Sequence, residues 1–339
     1  MPYEPYFNGI EKLMTKAVRI EKTGGPEVMQ LVDFEVPKPA AGEIRIRHTA
    51  IGLNYFDTYQ RSGLYPITLP AGLGTEGAGI VEELGQGVTS FKVGDRVAYG
   101  SGPAGAYAEA RNISAAHVAK TPGSIDDVTA AGMMLKGMTV RYLLRATYKV
   151  KPGETILLHA AAGGIGLIAS QWAKALGATV IGTVGSESKM EIAKAHGCAH
   201  VINSSTENVV ARVKELTGGK GVPVVYDGVG QATFMTSLDC LGPRGLLVSF
   251  GNASGAVTGV GLGILASKGS LYITRPTLGT YIATEAELAE TTNDLFDMVQ
   301  SGKVKIPVNQ TYALSEVVQA HRDLEARKTT GTTVLLPNS

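Results

Sequence analysis

Two cysteines, Cys198 and Cys240, are all that 339 residues contain. Neither lies in a Cys-x-x-Cys, so the sequence signals neither a disulfide framework nor a cysteine-rich zinc site. Both read as reduced thiols of a cytoplasmic protein. Net charge is almost absent: 31 basic residues face 30 acidic ones. With no dense Lys/Arg run and no interleaving of aromatic with basic residues, the footprint of a nucleic-acid binder is missing. Long apolar runs are missing too. The best candidate for a membrane span, 156–169, falls short of the roughly 20 residues a bilayer needs, and Gly163, Gly164 and Gly166 interrupt it. Residues 1–14 carry Glu4, Glu11 and Lys12 and no apolar stretch, so they read as an N-terminal extension rather than a signal peptide.

Glycine, by contrast, is plentiful, with 43 residues, many of them clustered. That suggests tight turns and close approaches of backbone to a ligand. At 44% hydrophobic and 18% charged residues, the chain can bury a sizeable core. Its length fits about two domains.

Two rhythms divide the sequence. From about 15 to 135, short β-like runs (17–20, 43–51, 79–84, 96–99, 106–110) alternate with Gly-rich turns. From about 136, strand and helix alternate. Strands are expected over 155–160, 179–184, 200–202, 222–226 and 246–250. Helices are expected over 164–176, 186–196 and 207–216, with Ser186 as an N-cap and Gly177 as a C-cap. This alternation predicts an α/β fold, a parallel sheet covered by helices on both faces. An extended run at 332–336 is expected to return to the first domain.

The strongest chemical signal is Ala160-Ala161-Ala162-Gly163-Gly164-Ile165-Gly166, between a strand and a helix. Glycines there let backbone approach a pyrophosphate, and the helix N-terminus adds free N–H groups. The alternative is a tight strand–helix junction with no ligand. At the end of the next strand an NAD site places an acid for the ribose 2′-hydroxyl. Here the run is Gly182-Thr183-Val184-Gly185-Ser186-Glu187-Ser188-Lys189. No acid closes the strand, and Lys189 offers a cation that a 2′-phosphate would attract. NADPH is therefore the expected cofactor. Glu187 keeps a 2′-hydroxyl contact open, and a solvated Lys189 is the bland alternative.

These residues resemble the quinone oxidoreductase (zeta-crystallin-like) branch of the medium-chain dehydrogenase/reductase superfamily, over about 15–337. The likeness rests on Asn54-Tyr55-Phe56-Asp57-Thr58-Tyr59-Gln60-Arg61-Ser62-Gly63-Leu64-Tyr65, Gly72-Leu73-Gly74-Thr75-Glu76 and Leu135-Lys136-Gly137-Met138-Thr139. It continues through His159–Gly166, Gln171–Ala178, Val225-Tyr226-Asp227, Ser249-Phe250-Gly251-Asn252 and Thr274-Arg275-Pro276. It implies a GroES-like catalytic domain (15–136 and 311–339) and a Rossmann domain (137–310), with the site in the cleft between them. It also implies NADPH, a small quinone-like substrate and a homodimer. Implied cofactor contacts fall on Asn54, Asp57, Tyr59, Tyr65, Thr139, Tyr142, Gly163, Gly164, Ile165, Gly166, Gly185, Ser186, Lys189, Phe250, Gly251, Asn252, Ser254, Thr274, Arg275, Pro276 and Arg327. Two departures concern the adenine side: Ser204 stands where several relatives have a tyrosine, and Gly228 where a serine often follows Tyr226-Asp227.

Zinc-dependent members place Cys where this chain has Asn54 and Gly-His-Glu where it has Gly74-Thr75-Glu76. A catalytic zinc needs about three Cys, His or acidic ligands, and Glu76 is left alone, so no metal is expected. His196-Gly197-Cys198-Ala199-His200 holds ligand types at close spacing but reads as a loop with bystander side chains. His159 reads as a satisfied core residue. Without a Lewis acid to acidify an alcohol, an acceptor that is already electrophilic suits the site better. The expected function is a zinc-independent NADPH:quinone oxidoreductase. Asn54, Asp57, Tyr59 and Tyr65 are the candidate catalytic residues, with cofactor positioning or packing as their alternative role. Hydride and single-electron transfer both stay open. Rival functions are an NADPH-dependent enone or alkenal reductase, and a non-enzymatic NADPH- or RNA-binding protein.

Overall fold

The computed structural model describes residues 13–337 of the 339. Residues 1–12 of the expected extension lie outside the described residues. Leu13 and Met14 do not belong to an extension: they open the first strand, β1 (Leu13–Ile20). β1 pairs antiparallel with β2 (Gln30–Val36). The next strand, β3 (Glu43–Leu53), is buried along most of its length because strands flank it on both sides. β4 (Ala71–Gly72) joins β1, while β5 (Glu76–Leu84), β6 (Arg96–Tyr99), β7 (Ala110–Ser114) and β8 (Ala119–Lys120) extend the sheet around β3. The strand expected at 106–110 is displaced. There the Ala106 and Tyr107 N–H groups donate to Gly74 and Leu73, and ladder pairing with β3 begins only at Ala110.

Three helices frame the candidate site. The first, α1 (Tyr55–Ser62), starts at Asn54, whose N–H donates to Asp57 Oδ2 at 2.8 Å, and stops at Gly63 in the left-handed region. Helix α2 (Asp127–Tyr142) is capped by the Asp126 side chain accepting the Thr129 N–H at 2.8 Å. The 136/137 join expected from sequence falls inside this helix. The third, α3 (Gly164–Ala175), opens at Gly163 and ends at Gly177, φ 85°.

β9 (Thr155–Leu158), β10 (Thr179–Val184), β11 (His200–Asn203), β12 (Val222–Asp227), β13 (Leu241–Ser249) and β14 (Tyr272–Thr274) form a parallel sheet. Its order is β11-β10-β9-β12-β13-β14, so the connections reverse direction at β9. A crevice opens at such a switch point, beyond the C-terminal strand ends. Among the covering helices, α4 (Met190–Ala195) starts later than the 186 expected. Glu187–Lys189 is a 3-10 turn, and Ser186 takes the cap position without a side-chain hydrogen bond. α5 (Val209–Leu216) begins after Asn208, whose side chain accepts the Ala211 N–H. β9 also stops short of the expected 160, because Ala160 turns into the left-handed region, φ 54°.

The chain then returns. β15 (Val308–Ala313) and β16 (Thr332–Leu336) join the sheet around β3, β16 pairing antiparallel with β3 at Thr333↔Leu53. On the way, the Gly331 N–H donates to Ala162 C=O at 3.1 Å, fastening the returning segment to the glycine loop.

Candidate active site

The glycine loop leads from β9 into α3. Gly166 is required there, since a Cβ would overlap Ala160 C=O. The first N–H groups of α3 have no carbonyl one turn back and suit an anion. A side chain at Gly185 would meet nothing within 4 Å, so the end of β10 is open. Lys189 Nζ donates to Arg327 C=O at 2.8 Å. Burial lowers the Lys189 pKa, and the Arg327 guanidinium lowers it further. Arg327 is itself held at φ 59°. Two cations thus converge beside the open strand end, and neither is ion-paired with a carboxylate among the described residues. The hydroxyls of Ser186 and Ser188 lie 3.0 Å apart at the same place. Ser204 turns inward to Val184 C=O.

Opposite this end, α1 and the loop after β13 meet. Asn252 N–H donates to Tyr59 Oη at 3.0 Å, and Asn252 Nδ2 donates to Tyr65 Oη at 3.1 Å. Arg275 donates to Tyr65 Oη at 3.0 Å and to Gly251 C=O at 2.9 Å. The phenol rings stand edge to face, 5.3 Å between centroids. Both phenol oxygens act as acceptors within the protein, so both O–H hydrogens are unused. Burial pushes Tyr59 up to about 12, which keeps it protonated across the working range.

A third cluster lies beneath. Glu76 accepts from Asn54 Nδ2 at 2.7 Å, from Leu135 N–H at 2.8 Å and from Lys136 Nζ at 3.1 Å. Glu76 is thus held by three donors, two on Oε2 and one on Oε1. Asp57 Oδ2 accepts from Asn54 N–H and from Tyr107 Oη, each at 2.8 Å, while its buried Oδ1 has no partner. Tyr107 continues to His321 Nε2 at 3.0 Å, and His321 Nδ1 meets Arg61 at 2.9 Å. Arg61 can only donate, so His321 Nδ1 accepts and Nε2 carries the proton toward Tyr107. Burial lowers His321 to about 3, in keeping with a neutral ring.

Burial raises Asp57 to about 7, against the opposing hydrogen bonds from Tyr107 and Asn54. Between pH 4 and pH 7 the unfolded chain has lost this proton and the folded chain keeps it. The Asp57 contribution therefore favours the fold below pH 4 and is lost as pH rises through 7. Relative to Asp57→Asn, the parent is expected to lose several degrees of Tm between pH 5 and pH 8, measured by calorimetry. A constant difference across that range would rule this out.

Some expected site residues have other duties. Ser254 Oγ accepts the Ala232 N–H and donates to Val229 C=O, which occupies it within its loop. Tyr142 stacks on Tyr281 at 4.5 Å, and Thr139 is buried in α2. Arg275 sits beside Pro276 just beyond β14, while Thr274 closes that strand. The Ser/His/Asp types do meet, in the core: Ser237 donates to Asp227 Oδ2 at 2.7 Å, and His159 lies 3.0 Å from Ser237 and 2.9 Å from Thr183. The serine proton goes to the carboxylate and the histidine is buried, so no nucleophile is activated. The His196–His200 segment stays dispersed: His196 bonds Ile192 C=O and Cys198 packs on Ser170. No group of three metal-ligating side chains forms among the described residues. Glu76, Lys136 and Tyr107 were not among the expected site residues. The signal available was their place in the motifs Gly74-Thr75-Glu76 and Leu135-Lys136-Gly137-Met138-Thr139, for Glu76 and Lys136 alone.

A β-rich body joined to a six-stranded parallel sheet of dinucleotide-binding order is the architecture of a medium-chain dehydrogenase/reductase. Residues 40–147 match the family model "Alcohol dehydrogenase GroES-like domain", and 164–296 match "Zinc-binding dehydrogenase". A quinone oxidoreductase of Pseudomonas aeruginosa is 56% identical over 96% of this chain and all of its own length. The Escherichia coli quinone oxidoreductase, solved as a complex with NADPH, is 54% identical with a TM-score of 0.94, covering 95% of this chain and all of that one. A 2-haloacrylate reductase of Burkholderia sp. is 46% identical over 96% of this chain and all of its own length. The chain belongs to the quinone oxidoreductase family.

Proposed function

We propose that this chain is a zinc-independent NADPH:quinone oxidoreductase working in the cleft between its β-rich domain and its parallel-sheet domain. The observation that carries this is the phenol pair: Tyr59 and Tyr65 present unused O–H donors beside Asn252 and Arg275, suited to the carbonyl oxygens of a flat, electron-poor ring. The residues fit the cofactor. Gly164 and Ile165 at the start of α3 would hold the pyrophosphate, and the unpaired Lys189 and Arg327 beside Gly185 would hold a 2′-phosphate. NADPH, when bound, supplies the reducing equivalents as hydride or electrons. The protein orients the acceptor, donates hydrogen bonds to it and keeps water out.

Zinc independence is supported by the donor set. Asn54 and Thr75 are poor ligands, and Glu76 already accepts three N–H donors, one of them the Lys136 ammonium. No helix among the described residues is long and apolar enough to cross a membrane. Two free, buried thiols favour a cytoplasmic setting. A homodimer is supported by the edge strand β14, where Tyr272 and Ile273 are exposed.

The test is steady-state oxidation of NADPH, with NADH alongside, against 1,4-benzoquinone, phenanthrenequinone and trans-2-hexenal, with and without a zinc chelator. Quinone turnover preferring NADPH and indifferent to chelator is expected. The likeness to 2-haloacrylate reductase favours one rival, an electron-poor alkene as acceptor. Turnover with hexenal alone would select that rival, and loss of activity in chelator would refute zinc independence.

A further inference from the structure

We propose that Lys136 is a further cofactor-binding residue. Given NADPH as the cofactor, its ammonium donates to the vicinal hydroxyls of the ribose between the pyrophosphate and the nicotinamide. Glu76 holds it in place for that contact. The pair is largely buried: Glu76 is inaccessible, while Lys136 keeps 6% exposure. Lys136 Nζ donates to Glu76 Oε2 at 3.1 Å and to Leu53 C=O at 3.3 Å. An ammonium carries three hydrogens, and the third has no acceptor among the described residues. A buried donor without a partner is unfavourable, so it marks a place where another molecule accepts.

The location narrows the acceptor. The lysine methylenes run beneath Gly164: a Cβ there would meet Lys136 Cδ at 2.9 Å and Cε at 3.0 Å. Gly164 opens α3, whose N–H groups suit the pyrophosphate. On its other side the ammonium shares Glu76 Oε2 with Asn54 Nδ2, at the head of the helix that carries Tyr59. Lys136 thus stands between the phosphate end and the phenol end of the site. In a dinucleotide the unit between the pyrophosphate and the reacting ring is a ribose, and its two hydroxyls accept hydrogen bonds from an ammonium.

Calorimetric titration separates this contact from the rest of the site. Adenosine 2′,5′-bisphosphate carries the adenine-side phosphates but lacks the second ribose. Lys136→Met alone would strand a buried carboxylate, so the variant is Glu76→Gln with Lys136→Met, which removes both charges together. It is expected to bind the bisphosphate within twofold of the parent and NADPH roughly tenfold to a hundredfold more weakly. Lys136→Arg keeps the charge but moves the donors. It is expected to show the same selective loss at roughly tenfold, and it serves if the double variant does not fold. Unchanged NADPH affinity would overturn the assignment. So would an equal loss for both ligands, since the pair would then only shape the fold. If the parent binds neither ligand, the NADPH assignment itself fails and Lys136's role falls with it. If the parent binds both and the variants match it, only the role of Lys136 falls.

Discussion

Replacing Lys189 by alanine is expected to weaken NADPH binding roughly tenfold to a hundredfold and to leave NADH binding nearly unchanged. The Lys189 ammonium is anchored at 2.8 Å on Arg327 C=O, close enough to the Arg327 guanidinium for the two cations to repel. Neither has a carboxylate partner among the described residues. A 2′-phosphate, with its nearly two negative charges, would satisfy both at once, whereas a 2′-hydroxyl would satisfy neither. Removing Arg327 as well is expected to extend the loss toward about a thousandfold, with the difference fading at high salt. Fluorescence titration with both cofactors across ionic strength reads this directly. An equal loss for NADH would make Lys189 a structural residue, and no loss at all would remove the 2′-phosphate from this end of the site.

The second large effect concerns the phenols. Tyr59→Phe and Tyr65→Phe each delete a single oxygen and leave the ring. Each is expected to lower kcat/KM for quinone by roughly 30- to 300-fold, while NADPH affinity falls less than about fivefold. A preorganised donor aimed at developing negative charge is worth on the order of 3 kcal/mol in catalysis. Because Tyr65 Oη receives both Asn252 and Arg275, its loss also frees the loop after β13, so Tyr65→Phe is expected to raise KM more than Tyr59→Phe. Should both variants keep kcat/KM within threefold of the parent, the phenols only position the cofactor.

The parts of this molecule legible in the sequence are those fixed by local chemistry. β10 and β16 were expected at their observed limits, because a short run of buried residues between turn signals leaves little choice. The placement of the glycine loop between β9 and α3, and of Lys189 just beyond β10, was legible for the same reason: each depends on a strand end and the residues just beyond it. The strand expected at 106–110 failed because its alternation is real but its hydrogen bonds go to Leu73 and Gly74 in a turn. The helix Glu285–Gln300 went unread, although Thr284 and Glu287 form a capping box at its start. The Glu76–Lys136 pair spans 60 positions, and the line from Arg61 to Glu325 spans 264. No period or short motif encodes such meetings. They follow only from the sheet order and from the way α2 passes between the two halves.

The pairing of β16 with β3 has a consequence for synthesis. Ile51, Gly52 and Leu53 are translated well before their partners Leu335, Val334 and Thr333, with about 280 residues between them. At about 5–20 residues per second, that edge waits roughly 15–60 seconds on the ribosome. During this interval the parallel sheet, whose strands are close neighbours in sequence, is free to form first. The sheet around β3 cannot close until β16 has emerged, and early translation arrest would leave an open β edge exposed to other nascent chains.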